Sequence, residues 1–242
     1  MKANSNSAGL APDWLERFAQ GLREDAEFYR CPLLGGDTDR SPGAITVTIA
    51  TLGTVPHGTM VRRAGARPGD RVVVTGTIGD AALGLVLRND KAERWKLDAA
   101  MREHLIGRYL VPQPRNAIAE ALRRYATAAI DVSDGLAGDL AKLCRASEVG
   151  VDIAIEQVPL SAAAGRALAA EPAVIETILT GGDDFEVIAT VAPDRVEDLR
   201  AAAASVSLAV TEIGTVTQSR EVRLVSTDGR VHAFKRPSYS HF

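Results

Sequence analysis

The sequence predicts an α/β or α+β fold, because segments with helical periodicity and segments with strand periodicity alternate along the chain. Trp14, Phe18 and Leu22 recur at helical spacing, whereas residues 72–74 and 128–130 are short apolar runs typical of strands. Apolar residues make up 46% of the 242 positions and charged residues 24%, so the chain can bury a substantial core. This length is sufficient for one large domain or two small ones.

Composition excludes several classes of protein. The 28 basic and 31 acidic residues give a net charge of −3, which argues against a nucleic-acid partner. No uncharged apolar run reaches the ~18 residues of a membrane span, and the first residues lack the apolar stretch of a signal peptide. Cys31 and Cys144 are far apart, which argues against a disulfide scaffold or a cysteine-rich zinc site. We therefore expect a cytoplasmic protein with no membrane partner.

The first 54 residues predict one helix and one strand. Asp13 and Glu16 form a capping-box pattern that opens a helix running to about Arg30, with Trp14 and Phe18 on its buried face. Apolar and polar residues alternate over residues 45–49, which predicts a strand with one buried face. Turn residues at 56–58 make a plausible boundary between this segment and the rest of the chain.

The second segment predicts alternating strands and helices. A turn at residues 67–70 feeds the apolar strand at 72–74, and Ile118, Leu122 and Tyr125 share one face of a helix that follows two prolines. The remaining elements follow from the same periodicities: helices at 78–87, 136–146, two within 161–180 and one from Asp194 to Ala204, and strands at 128–130, 151–155, 185–191, 211–216, 222–225 and a last one ending near 234.

Three glycine-flanked loops concentrate the carboxylates. Residues 35–39 contain Asp37 and Asp39, residues 131–135 contain Asp131 and Asp134, and residues 181–186 contain three further acids, Asp183, Asp184 and Glu186. If the loops converge, these seven acids surround one cleft, where two charges 4 Å apart repel by about 4 kcal/mol at an effective dielectric near 20. Such a cluster must protonate, splay apart or hold cations. If it holds cations, ligands that are all oxygen favour Mg²⁺ together with substrate phosphates.

Each loop also has a simpler interpretation. Asp131, Ser133 or Asp134 could cap the helix that follows, and the two Gly-Gly-Asp loops could be ordinary turns. Arg62-Arg63 could contact phosphate or form a solvated basic turn. Ser133 is a poor candidate nucleophile, because it lies outside a Gly-x-Ser-x-Gly elbow and has no histidine near it in sequence. The Gly-Lys dipeptide of a P-loop and the Gly-x-Gly-x-x-Gly fingerprint are also absent from the sequence.

Taken in order, the motifs resemble those of the thiamine-monophosphate kinase family, in the superfamily of aminoimidazole ribonucleotide synthetase and selenophosphate synthetase. The matching stretches are Gly35-Gly36-Asp37-Thr38 with Arg40-Ser41, Arg63-Ala64-Gly65-Ala66-Arg67-Pro68-Gly69-Asp70 with Val74-Thr75-Gly76, Ile130-Asp131-Val132-Ser133-Asp134-Gly135-Leu136 with Asp139-Leu140, Gly181-Gly182-Asp183-Asp184-Phe185-Glu186, and the final His241-Phe242. Each stretch is weak alone, but the ordered set is specific. The resemblance implies an aminoimidazole ribonucleotide synthetase-like fold, with residues 1–54 as a partial N-terminal nucleotide-binding domain and 55–242 as a complete C-terminal α/β domain.

The resemblance also implies an activity, which is transfer of the γ-phosphoryl group of ATP to thiamine monophosphate with Mg²⁺. Attack would be direct and in line, with no nucleophile or base from the protein, and the family acts as a homodimer. The implied site residues are Gly36, Asp37, Arg63 and Ser133 for ATP, Asp37, Asp131 and Asp134 for Mg²⁺, and Asp183 and Tyr239 for the substrate.

The sequence departs from the family pattern in ways that leave alternatives open. Family members usually begin with a further segment containing Gly-Asp-Asp. We therefore expect either a truncated gene or misassigned start, or a fragment that cannot complete the site, and we expect this chain alone to be a poor kinase. Asp39 stands where relatives place Thr or Ser, and Asp183 where they often carry Glu. The alternatives are another ATP-using member of the superfamily with a different small substrate, and a non-catalytic nucleotide-binding module.

Overall fold

The computed structural model describes residues 12–39, 43–90, 92–232 and 234. The chain divides into two compact units, Met1–Thr54 and Val55–Phe242. Among the described residues, the first unit contains one α-helix and the second contains all the strands. In that part of the chain, we find no helix with the length and apolarity needed to cross a membrane.

The first unit contains helix α1, Pro12–Phe28, which confirms the predicted helix. Asp13 lies in the first turn rather than at the N-cap, and its carboxylate pairs with Arg17 at 3.0 Å. The predicted apolar face is correct, and Trp14 and Phe18 stack with ring centroids 5.2 Å apart. Both rings are only half-buried, so this face is not the closed core that the pattern predicted.

The strand predicted at residues 45–49 is wrong. Residues 45–54 have no regular secondary structure, and Ile45, Val47 and Ile49 are exposed. The physical reason is that a strand completes its backbone hydrogen bonds only on a neighbouring strand. The described part of the first unit offers no such neighbour, although the alternation of side chains is that of a strand.

The second unit alternates helices and strands, as predicted. Its α-helices are α2 Asp80–Asn89, α3 Ala99–Leu110, α4 Ala119–Tyr125, α5 Leu136–Ser147, α6 Ala162–Ala170, α7 Val174–Thr180 and α8 Val196–Ala204. Its strands are β1 Arg71–Thr75, β2 Ala126–Val132, β3 Gly150–Ala154, β4 Glu186–Val191, β5 Val210–Thr217, β6 Val222–Val225 and β7 Val231–His232.

The seven strands form one sheet in the order β2-β4-β1-β5-β3-β6-β7. All neighbouring pairs are antiparallel except β3 and β6, which are parallel. Val72 and Val74 belong to the larger core cluster and Val73 to the smaller one, so successive side chains of β1 enter opposite faces. Because both faces are covered, β1 is a continuous apolar run rather than an alternating one.

Helices pack on both faces of this sheet. The larger cluster contains buried residues of α2, α5 and α7, such as Leu83, Leu140 and Ile178. The smaller cluster contains Ile118 and Leu199. Leu122 and Tyr125 pack against it too, which confirms the predicted shared face around α4. The sheet therefore forms the middle of three layers. The loops at residues 131–135 and 181–186 lie at the ends of its strands β2 and β4.

The sequence patterns missed helix α3. Only Leu105 and Arg108 of its 12 residues are buried, so the helix shows little of the apolar periodicity on which a prediction depends. A local signal was present, because the carboxylate of Asp98 caps the helix by accepting from Met101 N at 2.8 Å. The omission matters because Arg108 supports one of the acidic loops.

Candidate functional site

Two of the three acidic loops meet at one end of the sheet. Strand β2 leads into residues 131–135 and residues 181–186 lead into β4, and the two strands pair antiparallel with Val132 opposite Glu186. Asp183 N donates to Ser133 O at 3.0 Å, and Phe185 N donates to Val132 O at 2.8 Å. The structure therefore brings Asp131, Ser133, Asp134 and Asp183 into one neighbourhood of the second unit.

The glycines of these loops are needed for close approach. A Cβ on Gly182 would lie 2.3 Å from Ser133 O, and one on Gly181 would lie 2.4 Å from the Cβ of Ala82. Neither glycine has a positive φ, so a left-handed backbone conformation is not the reason for them. The left-handed positions are instead Asp183, with φ 70°, and Phe185, with φ 51°. Such strained residues cost about 1–3 kcal/mol each and concentrate at functional sites.

A buried carboxylate holds the loop at 131–135 in place. Asp139 is 1% exposed, and its Oδ2 accepts from Ser133 N at 3.0 Å and from Asp134 N at 2.9 Å. Burial raises the pKa of this carboxyl, and the hydrogen bond from Lys142 opposes that shift. Helix α5 begins after Gly135 with no side-chain cap. The N-cap position of α5 is therefore occupied by Gly135 and not by Asp131, Ser133 or Asp134.

The acids of this loop differ in their surroundings. Asp131 is exposed at the end of β2, whereas Ser133 and Asp134 are half-buried. The ammonium of Lys142 forms an ion pair with the Asp134 carboxylate and lies 2.8 Å from Asp139 Oδ1. The ammonium of a lysine thus already contacts one of the three carboxylates predicted to bind metal.

Arg63 lies along the outer edge of β2. Arg62 O accepts from Ala129 N at 3.0 Å, and Ser147 Oγ, at the end of α5, donates to Arg63 O at 2.8 Å. Since β2 is the last strand on its side of the sheet, these contacts cover part of a free edge. The Arg63 side chain is exposed, beside the strand that carries Asp131.

Two of the seven acids do not face an open cleft. Asp184 is fully buried, and its carboxylate accepts from Gly79 N at 2.6 Å and Ala81 N at 3.0 Å at the start of α2. Burial raises the pKa of Asp184 to about 7, with the two backbone hydrogen bonds opposing it and the nearby charge of Asp80 adding to it. This acid anchors the loop at 181–186 rather than binding a cation.

Glu186 is the second fully buried acid, and it is held by two guanidiniums. Arg108 Nη2 donates to Glu186 Oε1 at 3.0 Å and to Asp184 O at 2.8 Å. Arg115 forms a two-pronged pair with the same carboxylate, and Thr75 Oγ1 donates to it at 2.7 Å. Arg108 Nη1 has no hydrogen-bond partner among the described residues. Glu186 thus ties β1, β4 and α3 together behind Asp183.

The remaining predicted residues lie elsewhere in the chain. Gly36 and Asp37 are exposed in the first unit, where Asp37 Oδ1 accepts from Thr38 N at 2.8 Å. Tyr239 lies outside the described residues. The supporting residues Lys142, Arg108 and Arg115 were not predicted, since a lone basic residue carries no motif. The i, i+3 spacing of Asp139 and Lys142 was the one available signal.

The donor set is compatible with Mg²⁺. Among the described residues, no group of three or more His, Cys, Asp or Glu side chains is arranged to hold a metal ion. Asp131 and Asp134 supply oxygen ligands alone, and Mg²⁺ typically uses one or two protein carboxylates together with substrate phosphates and water. The arrangement suits an ion that arrives with a phosphorylated ligand rather than one held in an all-protein cage.

Comparison with known proteins gives consistent matches. Residues 67–226 match the C-terminal domain of AIR synthase related proteins, and residues 2–55 match their N-terminal domain. Thiamine-monophosphate kinase of Caulobacter vibrioides is 40% identical over 210 residues, covering 86% of this chain. Thiamine-monophosphate kinase of Escherichia coli strain K12 is 37% identical over 229 residues, covering 95% of this chain.

A solved structure gives the same result. AaThiL complexed with AMPPCP and TMP has a TM-score of 0.76 at 30% sequence identity, covering 97% of this chain and 70% of that chain. The chain spans 58% of the length of the Caulobacter relative and 69% of the Escherichia coli relative.

Proposed function

The chain belongs to the thiamine-monophosphate kinase family of AIR synthase related proteins, and from this we propose that it transfers the γ-phosphoryl group of ATP to thiamine monophosphate. The products are ADP and thiamine diphosphate, and Mg²⁺ is the metal. The family resemblance and the fold expected from the motifs are confirmed. The complex of AaThiL with AMPPCP, an ATP analogue, and TMP supports both substrates.

One contact between residues of this chain supports the proposal directly. The hydrogen bond from Asp183 N to Ser133 O joins the loop that carries Asp131 and Asp134 to the loop that carries Asp183. Phosphoryl transfer depends mainly on positioning and charge neutralisation, so two rigidly joined acidic loops suit it well. Neither loop needs to supply covalent chemistry.

We assign the residues as follows. In the second unit, Asp131 and Asp134 would hold Mg²⁺, which would neutralise charge on the phosphate oxygens. In the first unit, Asp37 is assigned as a metal ligand. Ser133 and Arg63 of the second unit are assigned to ATP binding, as are Gly36 and Asp37 of the first unit. Asp183 and Tyr239 bind the thiamine substrate.

The acceptor does not require a general base. The second pKa of a phosphate monoester is about 6, so its oxygens are ionised at neutral pH and already nucleophilic. We therefore propose direct in-line attack of the acceptor phosphate on the γ-phosphorus, with ADP as the leaving group. Trapping a phosphorylated side chain during turnover would exclude this route.

The test is ADP release by the 242-residue chain with ATP, Mg²⁺ and thiamine monophosphate. Asp131→Asn should lower any turnover at least about 100-fold, the scale on which loss of a charge-stabilising group acts. Asp198→Asn, which removes an exposed carboxylate on α8, is the control and should leave turnover unchanged. Equal turnover in Asp131→Asn and the wild type would reject the assignment. Binding of Mg-ATP without ADP release for any acceptor would favour the binding module.

By the same family relationship, we propose a homodimer that acts in the cytoplasm. Light scattering on the purified chain tests the oligomeric state, with a mass near twice 25.6 kDa expected.

A further inference from the structure

Lys142 lies between two carboxylates that differ in their freedom to change partners. Its ammonium pairs with Asp134 and with Asp139 Oδ1, the latter at 2.8 Å. The Lys142 side chain is 33% exposed and that of Asp134 is 37% exposed, whereas Asp139 is buried. Solvent can therefore reach the Asp134 side of this bridge but not the Asp139 side.

Asp139 acts as the fixed partner of the bridge. Its Oδ2 already accepts from Ser133 N and Asp134 N, which leaves Oδ1 for the ammonium. A buried carboxylate that lost its cation would incur a large desolvation cost, so this contact is the more persistent of the two. Lys142 is thus tethered beside Asp134 even when the Asp134 contact opens.

We propose that Lys142 is an internal cation that competes with a divalent metal for the Asp134 carboxylate. This inference rests on the proposed function, because it takes Asp134 as a metal ligand. A divalent ion at Asp134 either displaces the ammonium from Oδ2 or binds beside it. In both cases two positive charges lie close together, which costs Coulomb energy. Lys142 consequently weakens binding of the free metal ion.

Bound nucleotide should offset the unfavourable effect of Lys142 on metal binding. ATP brings several negative charges, which favour both the metal ion and the nearby ammonium. The bridge therefore favours arrival of the metal together with the nucleotide over binding of the metal alone. In this role Lys142 is a positioning residue that sets the order of binding, and it need not touch the reacting atoms.

The test uses Mn²⁺ as the probe, with free Mn²⁺ measured by electron paramagnetic resonance in the absence of nucleotide. Lys142→Gln should bind Mn²⁺ about two- to fivefold more tightly than the wild-type chain, the range expected for a partly exposed ion pair. Lys142→Arg retains the charge and should stay near the wild type. Asp134→Asn identifies the site and should weaken binding in either background.

Arg220→Gln is the matched control, because it removes one positive charge as Lys142→Gln does. Arg220 pairs with Glu148 at 3.0 Å, just beyond the C-terminal end of α5. Since α5 has 12 residues and rises about 1.5 Å per residue, this pair lies about 18 Å from the loop at 131–135. The Arg220→Gln variant should therefore bind Mn²⁺ with the same affinity as the wild-type chain.

Three results would count against the proposal. Unchanged or weaker Mn²⁺ binding in Lys142→Gln, with binding still dependent on Asp134, would overturn the role of Lys142 and leave the metal site standing. An equal increase in Mn²⁺ affinity in Arg220→Gln would show that net charge alone causes the effect, and this result would also overturn the role of Lys142. No Mn²⁺ binding in any variant, even with ATP, would overturn both this inference and the metal assignment.

If Lys142→Gln does not fold, the wild-type chain provides a second measurement. With ¹⁵N-labelled lysine, the Nζ resonance of Lys142 should move as Mg²⁺ is titrated, because the ammonium loses its Asp134 partner. A stationary resonance at saturating Mg²⁺ and ATP would overturn the proposal.

Discussion

Asp183 N donates a hydrogen bond to Ser133 O over 3.0 Å. This bond joins two loops that are each anchored independently, one by Asp139 and the other by Asp184 and Glu186. Because both anchors are buried, the loops have little freedom to separate. The exposed carboxylates of Asp131 and Asp183 are therefore presented on a rigid base, which is what positioning of a phosphorylated ligand requires.

Gly182→Ala tests the contact between the loops. The new Cβ would lie 2.3 Å from Ser133 O, a backbone atom that cannot move aside easily. We expect a loss of about 1–3 kcal/mol in the free energy of unfolding, together with weaker binding of nucleotide. Urea unfolding and calorimetry measure the two effects.

The control for this substitution is Gly165→Ala in α6, where a Cβ meets nothing within 4 Å. It should raise stability by about 0.5–1 kcal/mol, since alanine is the better helix former. Nucleotide binding should not change. Equal behaviour of the two variants would show that the close approach at Gly182 is unimportant.

Glu186→Gln tests the buried cluster behind Asp183. It leaves the guanidiniums of Arg108 and Arg115 without their shared carboxylate, and Arg108 is only 5% exposed. Removing one partner of a buried ion pair typically costs about 3–5 kcal/mol, so we expect a loss of that size in urea unfolding. Glu148→Gln breaks the exposed pair with Arg220 and should cost no more than about 1 kcal/mol. Similar losses of unfolding free energy in the two variants would contradict the role of Glu186 as the centre of a buried ion-pair cluster.

Asp184 predicts a specific pH dependence of stability. Its folded pKa is raised to about 7 from an ordinary 3.8, so between these values the folded state holds a proton that the unfolded state has released. This proton stabilises the fold at low pH, and the stabilisation is lost as the pH rises through about 7.

The measurement compares wild type with Asp184→Asn by urea unfolding at pH 5 and pH 8. The asparagine does not titrate, so the advantage of the wild type should shrink between the lower and the higher pH. Other carboxylates titrate in both proteins and cancel in the difference. A difference that is independent of pH would contradict the raised pKa.

Much of the second unit could be predicted because its elements have strong local signals. Strand β1 is an apolar run after a Pro-Gly turn, and α5 follows a glycine and carries Leu140, Leu143 and Cys144 inward. Helix α3 was not predicted because only two of its residues are buried, so its sequence shows little apolar periodicity. The strand at residues 45–49 failed for the opposite reason, since its pattern is clear but the described first unit offers it no partner.

The loop motifs and their order were sufficient to predict the family and to nominate Asp131, Ser133, Asp134 and Asp183, because these depend on residue type and local spacing. Which acids are free to meet a ligand was decided only by the tertiary structure. Asp184 and Glu186 have the same chemistry as their neighbours in sequence, yet backbone N–H groups and guanidiniums from distant elements hold them inside. The pairing of Lys142 with Asp134 likewise depends on how α5 packs against its loop. A sequence specifies which charges are present, but burial and long-range partners determine which of them face solvent.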